Sequence, residues 1–396
     1  MMKKTLLLFF AASALASGLF AETTSALIDS TMKTCKAQAL GMLKNLEKSP
    51  GKMPRTFEGG KLVLSGVNWW CSGFFPGTLW YLYEYDGDPV LKEAAERYTK
   101  MVETLLSKKT DHDIGFQFNC SFGNGYRITG TERYKHILIE AAKKLCARFD
   151  EKVGCIRSWD SDNDGKWQYP VIIDNMMNLE LLEFAAKNTG DAKFENIAKS
   201  HADKTMQNHF RQDNSSVHVV SYDRKTGKPH LTQTWQGLSD SSAWARGQAW
   251  GLYGYTMMYR ETSDESYLKQ AEKIARFIMG HKNLPEDKIP YWDFDADGGE
   301  NTLRDASAGA IMASAFIELS TLTKDASLAA ECRKTAETQI RSLASPKYLA
   351  EVGENGNFFL KHSVGAIPFK SEVDVPLTYA DYYFLEAMLR WKNANK

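Results

Sequence analysis

The stretch Met176-Met177-Asn178-Leu179-Glu180-Leu181-Leu182-Glu183-Phe184-Ala185-Ala186-Lys187-Asn188-Thr189-Gly190-Asp191 carries the plan of the whole chain. Met176, Met177, Leu179, Leu181, Leu182, Phe184 and Ala185 cover a helix almost all round, which predicts burial on every side. Thr189-Gly190-Asp191 then ends it, because glycine closes a helix in the left-handed conformation and aspartate caps the next one. The helix beyond such a turn is amphipathic. After Thr262-Ser263-Asp264, the residues Tyr267, Leu268, Ala271, Ile274, Ala275 and Ile278 share one face, with Lys269, Glu272, Lys273 and Arg276 opposite.

The same punctuation recurs at Asp86-Gly87-Asp88, Thr129-Gly130-Thr131 and Thr323-Lys324-Asp325. An opening amphipathic helix over about 24–47 and a closing apolar one from Tyr379 to about Trp391 complete twelve helices, six inner and six outer. This alternation predicts an all-α (α/α)6 barrel using residues 22–396 as one domain. The short turns fall at one end. The long connections (48–71, 108–114, 148–174, 209–242, 282–305 and 345–378) gather at the other, where function is expected. In one of them Ser216–Tyr222 and His230–Trp235 alternate in character around Arg224-Lys225-Thr226-Gly227-Lys228, which predicts a small β-hairpin.

The chain has 396 residues, 43% of them hydrophobic, enough for a large core. Its 49 basic and 49 acidic residues create no global field for nucleic acid or an anionic membrane. Residues 1–21 set Lys3 and Lys4 before an apolar run and small residues, the layout of a secretory signal peptide cut after Ala16 or Ala21. Export to a periplasm is the expectation. Losing the two lysines leaves 47 basic against 49 acidic residues, a net charge of −2. No later segment approaches the length of about 18 apolar residues that a membrane span needs. The six cysteines lack CxxC spacing and read mostly as small buried residues, with pairing of Cys146 and Cys155 left open.

Asp174 follows Val171-Ile172-Ile173 and opens an apolar helix at the functional end, where poor solvation should raise its pKa. Asp113, in His112-Asp113-Ile114-Gly115-Phe116, opens another inner pattern at the same end. Aspartate at a helix start is also a good N-cap, so either residue alone has a structural explanation. Together they form the kind of pair used in acid/base chemistry on sugars. Arg246 and Trp250, four residues apart in the fourth inner helix, share a face next to Trp244. Such an arginine can bind a carboxylate while indoles stack on a sugar, or it can balance a buried acid. Trp70 stands at the start of the first inner helix and is a candidate for the cavity wall.

Asp160-Ser161-Asp162-Asn163-Asp164-Gly165 and Asp293-Phe294-Asp295-Ala296-Asp297-Gly298 imitate half of a calcium loop. Both lack the closing glutamate, Val171 or Arg304 standing in its place, and read as turns. No zinc-ligand spacing, nucleophile elbow or phosphate loop appears, so no metal or cofactor is expected.

These strings, with Trp70-Cys71-Ser72-Gly73-Phe74-Phe75-Pro76-Gly77, Ile172-Ile173-Asp174-Asn175-Met176-Met177-Asn178-Leu179, Arg246-Gly247-Gln248-Ala249-Trp250-Gly251, Trp292-Asp293-Phe294-Asp295, Arg304-Asp305-Ala306-Ser307-Ala308 and Tyr379-Ala380-Asp381-Tyr382-Tyr383, resemble glycoside hydrolase family 88, the unsaturated glucuronyl hydrolases. The resemblance implies that Asp174 is general acid and base and that Asp113 assists. It also implies that His218, Gln236, Trp244, Arg246, Trp250 and Trp70 bind the sugar. The implied substrate is an oligosaccharide ending in a Δ4,5-unsaturated uronic acid, cleaved by hydration of its vinyl ether without a cofactor. Leaving-sugar contacts are expected between Lys361 and Lys370, with Lys361, His362, Ser363 and Lys370 influencing tolerance of sulfate. An unsaturated rhamnogalacturonyl hydrolase and a non-catalytic periplasmic glycan-binding protein are the alternatives.

Overall fold

The computed structural model describes residues 22–395. The signal peptide expected over residues 1–21 lies outside the described residues. Helices α2 (Phe74–Asp86), α4 (Ile114–Phe118) with α5 (Asn124–Thr129), α7 (Leu179–Thr189), α9 (Ala245–Thr262), α11 (Ala306–Leu322) and α13 (Thr378–Asn393) form an inner ring. Helices α1 (Thr24–Leu46), α3 (Pro89–Val102), α6 (Glu132–Cys146), α8 (Ala192–Asn208), α10 (Glu265–Gly280) and α12 (Ala326–Leu343) surround it. The inner ring closes where α13 packs on α2. The expected (α/α)6 barrel is therefore present.

The turn chemistry acts as its residues predict. Gly87, Gly130 and Gly190 end α2, α5 and α7 with left-handed φ of 75°, 66° and 72°. Asp88, Asp191, Asp264 and Asp325 then accept a backbone N–H from the first turn of the next helix. Small residues let the inner helices approach closely: a Cβ at Gly254 of α9 would overlap Met176 on the neighbouring segment.

Two features differ from the sequence reading. The second inner helix is interrupted by a π-helical segment, Asn119–Gly123, in which the Ser121 hydroxyl donates to the Gln117 carbonyl at 2.6 Å and the Asn119 amide reaches Glu180 at 2.7 Å. Strand content also exceeds one hairpin. The expected pair, β6 (Val219–Tyr222) and β7 (Pro229–Gln233), is joined by β5 (Pro170–Ile172), and two-stranded ribbons form from β1 (Met53–Glu58) with β2 (Lys61–Ser65), β3 (Phe149–Asp150) with β4 (Cys155–Ile156), and β8 (Ser363–Ala366) with β9 (Ser371–Val375). All of them lie in the long connections. All six cysteines are free, Cys146 and Cys155 included.

Across the lumen, Phe74 of α2, Phe116 of α4, Trp250 of α9 and Tyr383 of α13 close a circuit of aromatic contacts with successive ring centroids 5.5, 5.1, 5.5 and 6.0 Å apart. On the short-turn side lies a cavity of about 550 Å³ whose charged walls are tied together by Arg260, Arg390, Glu180 and Glu386. On the loop side lies a cavity of about 370 Å³.

Candidate active site

The loop-side cavity is built at the starts of the inner helices. Trp70 precedes α2, Asp113 is the N-cap of α4, Asp174 lies in the 3-10 turn Ile173–Asn178 that leads into α7, and Arg246 and Tyr379 sit in the first turns of α9 and α13. All five line the cavity with Gln236. Each inner helix directs its N-terminus, the positive end of its dipole, toward this opening, an arrangement that favours a negatively charged ligand.

Sheet register brings His218 to Asp174. β5 pairs antiparallel with β6, Ile172 opposite Val219, and the Ile173 N–H donates to the His218 carbonyl at 3.1 Å. Asp174 is the next residue after Ile173, and His218 Nε2 stands 3.6 Å from its Oδ2. The other ring nitrogen, Nδ1, accepts from the backbone N–H groups of Trp235 and Gln236, both at 3.2 Å. This leaves the ring hydrogen on Nε2, facing the acid. Burial, helped by the Arg246 charge, holds His218 well below the usual imidazole range, so it is neutral.

Asp113 repeats the arrangement. Its Oδ1 is 3.6 Å from Nε2 of the buried His112. Burial, then the charges of Asp111 and Asp174, push its carboxyl well above the usual range. Asp174 is pushed up to about 7 by burial, against the opposing charge of Arg246. Asp113 is an N-cap whose side chain makes no cap bond, and Asp174 lies inside the 3-10 turn whose N-cap is Ile172, so capping explains neither acid. Asp174 Oδ2, His218 Nε2, His112 Nε2 and Trp250 Nε1 are all buried with no hydrogen-bond partner among the described residues. The Trp250 N–H nevertheless counteracts the rise at Asp174, while falling short of hydrogen-bond geometry. Orphaned buried polar atoms are costly, and these four cluster at the two acids, Asp174 at the cavity and the His218, His112 and Trp250 N–H groups behind it.

Arg246 has a heavier structural duty than expected. It is almost fully buried and bonds Asp305 at 3.1 Å, the Val364 carbonyl, and the Gly365 carbonyl at 2.7 Å. These bonds use three of the five N–H donors of a guanidinium. The arginine thus fastens the β8–β9 ribbon to the barrel while its edge remains in the cavity wall.

Three expected sugar contacts stand behind the wall instead of in it. Trp244 lies against His218, with centroids 4.4 Å apart, and under the Arg246 guanidinium at 4.5 Å. Trp250 belongs to the aromatic circuit, and His218 reaches the cavity through Asp174. Helical spacing places residues on a face without giving their depth. The wall contains aromatics that sequence reasoning did not select: Trp69, Trp159, Trp235, Phe369 and Tyr379. Trp235 packs on Trp167 and on Phe369, with centroids 4.8 Å apart in each case.

The 361–370 region reaches the cavity through other residues than those expected. Lys361 donates to the Pro346 carbonyl at 2.7 Å, His362 pairs with Asp374 at 2.7 Å, and Ser363 is buried. Lys370 is exposed between the lining residues Phe369 and Ser371, while Gly365, Ala366 and Glu372 line the wall. The calcium-like string at 293–298 is occupied with turns. Asp293 accepts from the Leu238 N–H and the Ser242 hydroxyl, both at 2.8 Å, and Asp295 accepts from the Ala243 N–H at 3.0 Å. Among the described residues, no group of three or more His, Cys, Asp or Glu side chains is arranged to hold a metal ion, and no helix is long and apolar enough to cross a membrane.

No family model matches the chain. Individual proteins do. An unsaturated glucuronyl hydrolase of Formosa agariphila is 46% identical over 325 residues, 82% of this chain and 80% of the relative. An unsaturated chondroitin disaccharide hydrolase of Streptococcus pneumoniae is 34% identical over 342 residues, 85% of each chain. Among solved structures, an unsaturated glucuronyl hydrolase specific for heparin superposes with a TM-score of 0.88 at 48% identity, covering 93% of this chain and 98% of its own. With these likenesses the class is settled: the chain is a glycoside hydrolase built on an (α/α)6 barrel. It belongs to the unsaturated glucuronyl hydrolases, glycoside hydrolase family 88.

Proposed function

We propose that this protein removes the nonreducing-end Δ4,5-unsaturated uronic acid from polysaccharide-lyase products, those of glycosaminoglycans in particular, by vinyl-ether hydration. The observation that carries the reading is the buried Asp174 carboxyl, raised to about 7 and set among unpartnered polar atoms at the end of a cavity. A carboxyl protonated near neutrality can give its proton to C4 of the C4=C5 bond. The positive charge that forms at C5 and the ring oxygen is met by a water molecule, whose proton passes to the same carboxylate. The hemiketal then opens at the C5–O bond, and the hemiacetal left at C1 releases the next sugar. His218, neutral and with its hydrogen toward Asp174, steadies the carboxylate whenever it is charged.

Asp113, Gln236, Trp70 and the free edge of Arg246 are assigned to the sugar ring, with Tyr379 added from the cavity wall. The same burial pushes the Asp113 carboxyl toward its neutral form, in which it can donate to a hydroxyl without adding a second negative charge beside the substrate carboxylate. Trp244 and Trp250 act through His218 and the cavity floor. Support for the substrate comes from a structural relative, a Streptococcus agalactiae unsaturated glucuronyl hydrolase with one aspartate changed to asparagine, complexed with dGlcA-GalNAc6S (28% identity, TM-score 0.79, 93% of this chain and 92% of that one). We assign catalysis to a single domain over 22–396, exported to the periplasm behind a signal peptide at 1–21. N-terminal sequencing of the exported protein tests the leader.

The test of activity is a panel of unsaturated disaccharides from chondroitin, hyaluronan, heparin and ulvan, with an unsaturated rhamnogalacturonan fragment, followed by ultraviolet absorbance of the alkene. Loss of absorbance with release of the neighbouring sugar is expected for at least one glucuronyl substrate. Saccharide binding with the alkene intact would establish a binding protein instead. The pH profile has a defined sign. Because Asp174 must start protonated, kcat falls as pH rises through about 7. A kcat that climbed steadily through neutrality would exclude Asp174 as the initial proton donor.

A further inference from the structure

Helix α4 begins in an unusual way. An N-cap carboxylate ordinarily accepts the N–H two or three residues further on. Asp113 occupies the N-cap of α4 and makes no such bond. The donors of that first turn go elsewhere. The Gly115 N–H reaches the His112 carbonyl at 3.3 Å and the Gln117 N–H the Asp113 carbonyl at 2.9 Å. The Phe116 N–H, which the Asp113 side chain would ordinarily take, donates to Oδ1 of Asn178 at 2.8 Å.

Asn178 is fully buried at the end of the 3-10 turn that carries Asp174. Its Nδ2 donates to Nδ1 of His112 at 3.1 Å and lies 3.4 Å from Oδ1 of Asn175. The bond to His112 leaves that ring's hydrogen on Nε2, the nitrogen facing Asp113. Asn175 is anchored in turn by donating to the Ile156 carbonyl at 2.9 Å. Gly115 packs so closely on Asn178 that a Cβ there would overlap the amide. One side chain thus completes the start of α4, sets the neighbouring imidazole and joins the two segments that bear the acids.

We propose that Asn178 is a positioning residue of the active site. By capping α4 in place of Asp113 it leaves the Asp113 carboxyl turned to the sugar, and by tying α4 to the Ile173–Asn178 turn it fixes the two acids relative to each other. The proposal rests on the reading that Asp113 and Asp174 act on the substrate. Without the amide, the Phe116 N–H is an unsatisfied buried donor. On this proposal the Asp113 carboxyl relieves it, its backbone moving from the helical conformation seen here (φ −67°, ψ −2°) toward the extended one of a capping residue as the side chain leaves the cavity.

The test compares Asn178→Ser, Asn178→Asp, Asp113→Asn and the Asn178→Ser/Asp113→Asn double variant by kcat, KM and thermal melting. Asp113→Asn is expected to lower kcat on the order of 10²-fold. Asn178→Ser should lower it by a similar factor with little change in KM. The double variant should be scarcely slower than Asp113→Asn alone, since the carboxyl it removes is already turned away. Asn178→Asp retains an acceptor for the Phe116 N–H but offers no amide donor to His112 Nδ1, so it should recover only part of the loss. A folded Asn178→Ser protein with wild-type kcat, losses that multiply in the double variant, or an Asn178→Asp protein as slow as Asn178→Ser would each overturn the proposal. Should Asn178→Ser not fold, Asn178→Asp is compared with the wild type instead: a lowered kcat with unchanged KM is expected from the lost donor to His112, and a kcat equal to wild type would overturn the proposal. Full activity of Asp113→Asn would instead refute the assignment of Asp113 in the proposed function.

Discussion

Asp174→Asn is expected to abolish turnover while the unsaturated disaccharide still binds. The amide matches the carboxyl in size, so the cavity and the contacts of Gln236, Arg246 and Trp70 persist, but it can neither protonate C4 nor accept a proton from water. Removing one positioned acid/base group typically costs about 10²–10⁴-fold in rate, and here one group carries both transfers, which argues for the upper end or beyond. Alkene consumption and disaccharide affinity, measured side by side, separate lost chemistry from lost binding. Stability provides an independent readout. Asp174 has a folded-state pKa raised to about 7, so the stability associated with its protonated form is present below the unfolded value and lost as pH rises through about 7. The asparagine variant lacks that loss and should resist denaturant better than the wild type above neutrality. A folded Asp174→Asn enzyme with near-normal turnover would refute the mechanism.

Arg246→Met should damage both folding and activity. The guanidinium is buried against Asp305, and the Val364 and Gly365 carbonyls depend on it. Breaking a buried ion pair from one side costs about 3–5 kcal/mol, because the remaining charge has no water to turn to. Asp305 keeps only the Ser307 N–H and hydroxyl at 3.0 and 2.6 Å and a long contact from the Val364 N–H at 3.4 Å. Urea denaturation should show the loss. Adding Asp305→Asn should return part of the stability, since it removes the stranded charge, while kcat/KM stays low because the β8–β9 ribbon and the cavity edge are still unfastened. Equal stability of Arg246→Met and wild type would show that the pair contributes nothing.

The rings were legible in the sequence because their signals are local. An apolar run, a Gly or Ser at the turn and a capping Asp sit within one short stretch, and each acts on its neighbours whatever the rest of the chain does. Asp113, Asp174, Arg246 and Trp70 could be assigned to one cavity for the same reason: they stand at or near the starts of helices whose direction the alternation dictates, whereas Gln236, in a loop, was reached only through the family resemblance. The outer wall was not legible. Phe369 and Glu372 enter through the β8–β9 ribbon, which the sequence did not announce. Trp159 and Trp235 meet because β5 pairs with β6, a contact between segments about fifty residues apart. The interruption at Asn119–Gly123 depends on a partner, Glu180, from the next inner helix. Depth was also hidden. Spacing put Trp244 and Trp250 beside Arg246, and only packing shows that one lies beneath His218 and the other seals the lumen.

That seal governs traffic. Phe74, Phe116, Trp250 and Tyr383 stand between the reaction cavity and the larger one below, so an aromatic layer floors the chamber that holds Asp174. On the proposed function, the sugar to be cleaved lies on this floor and the rest of the oligosaccharide reaches outward on the loop side. With that floor closed, both products of the proposed reaction leave on the loop side, and the released sugar, lying nearer the opening, precedes the opened uronate.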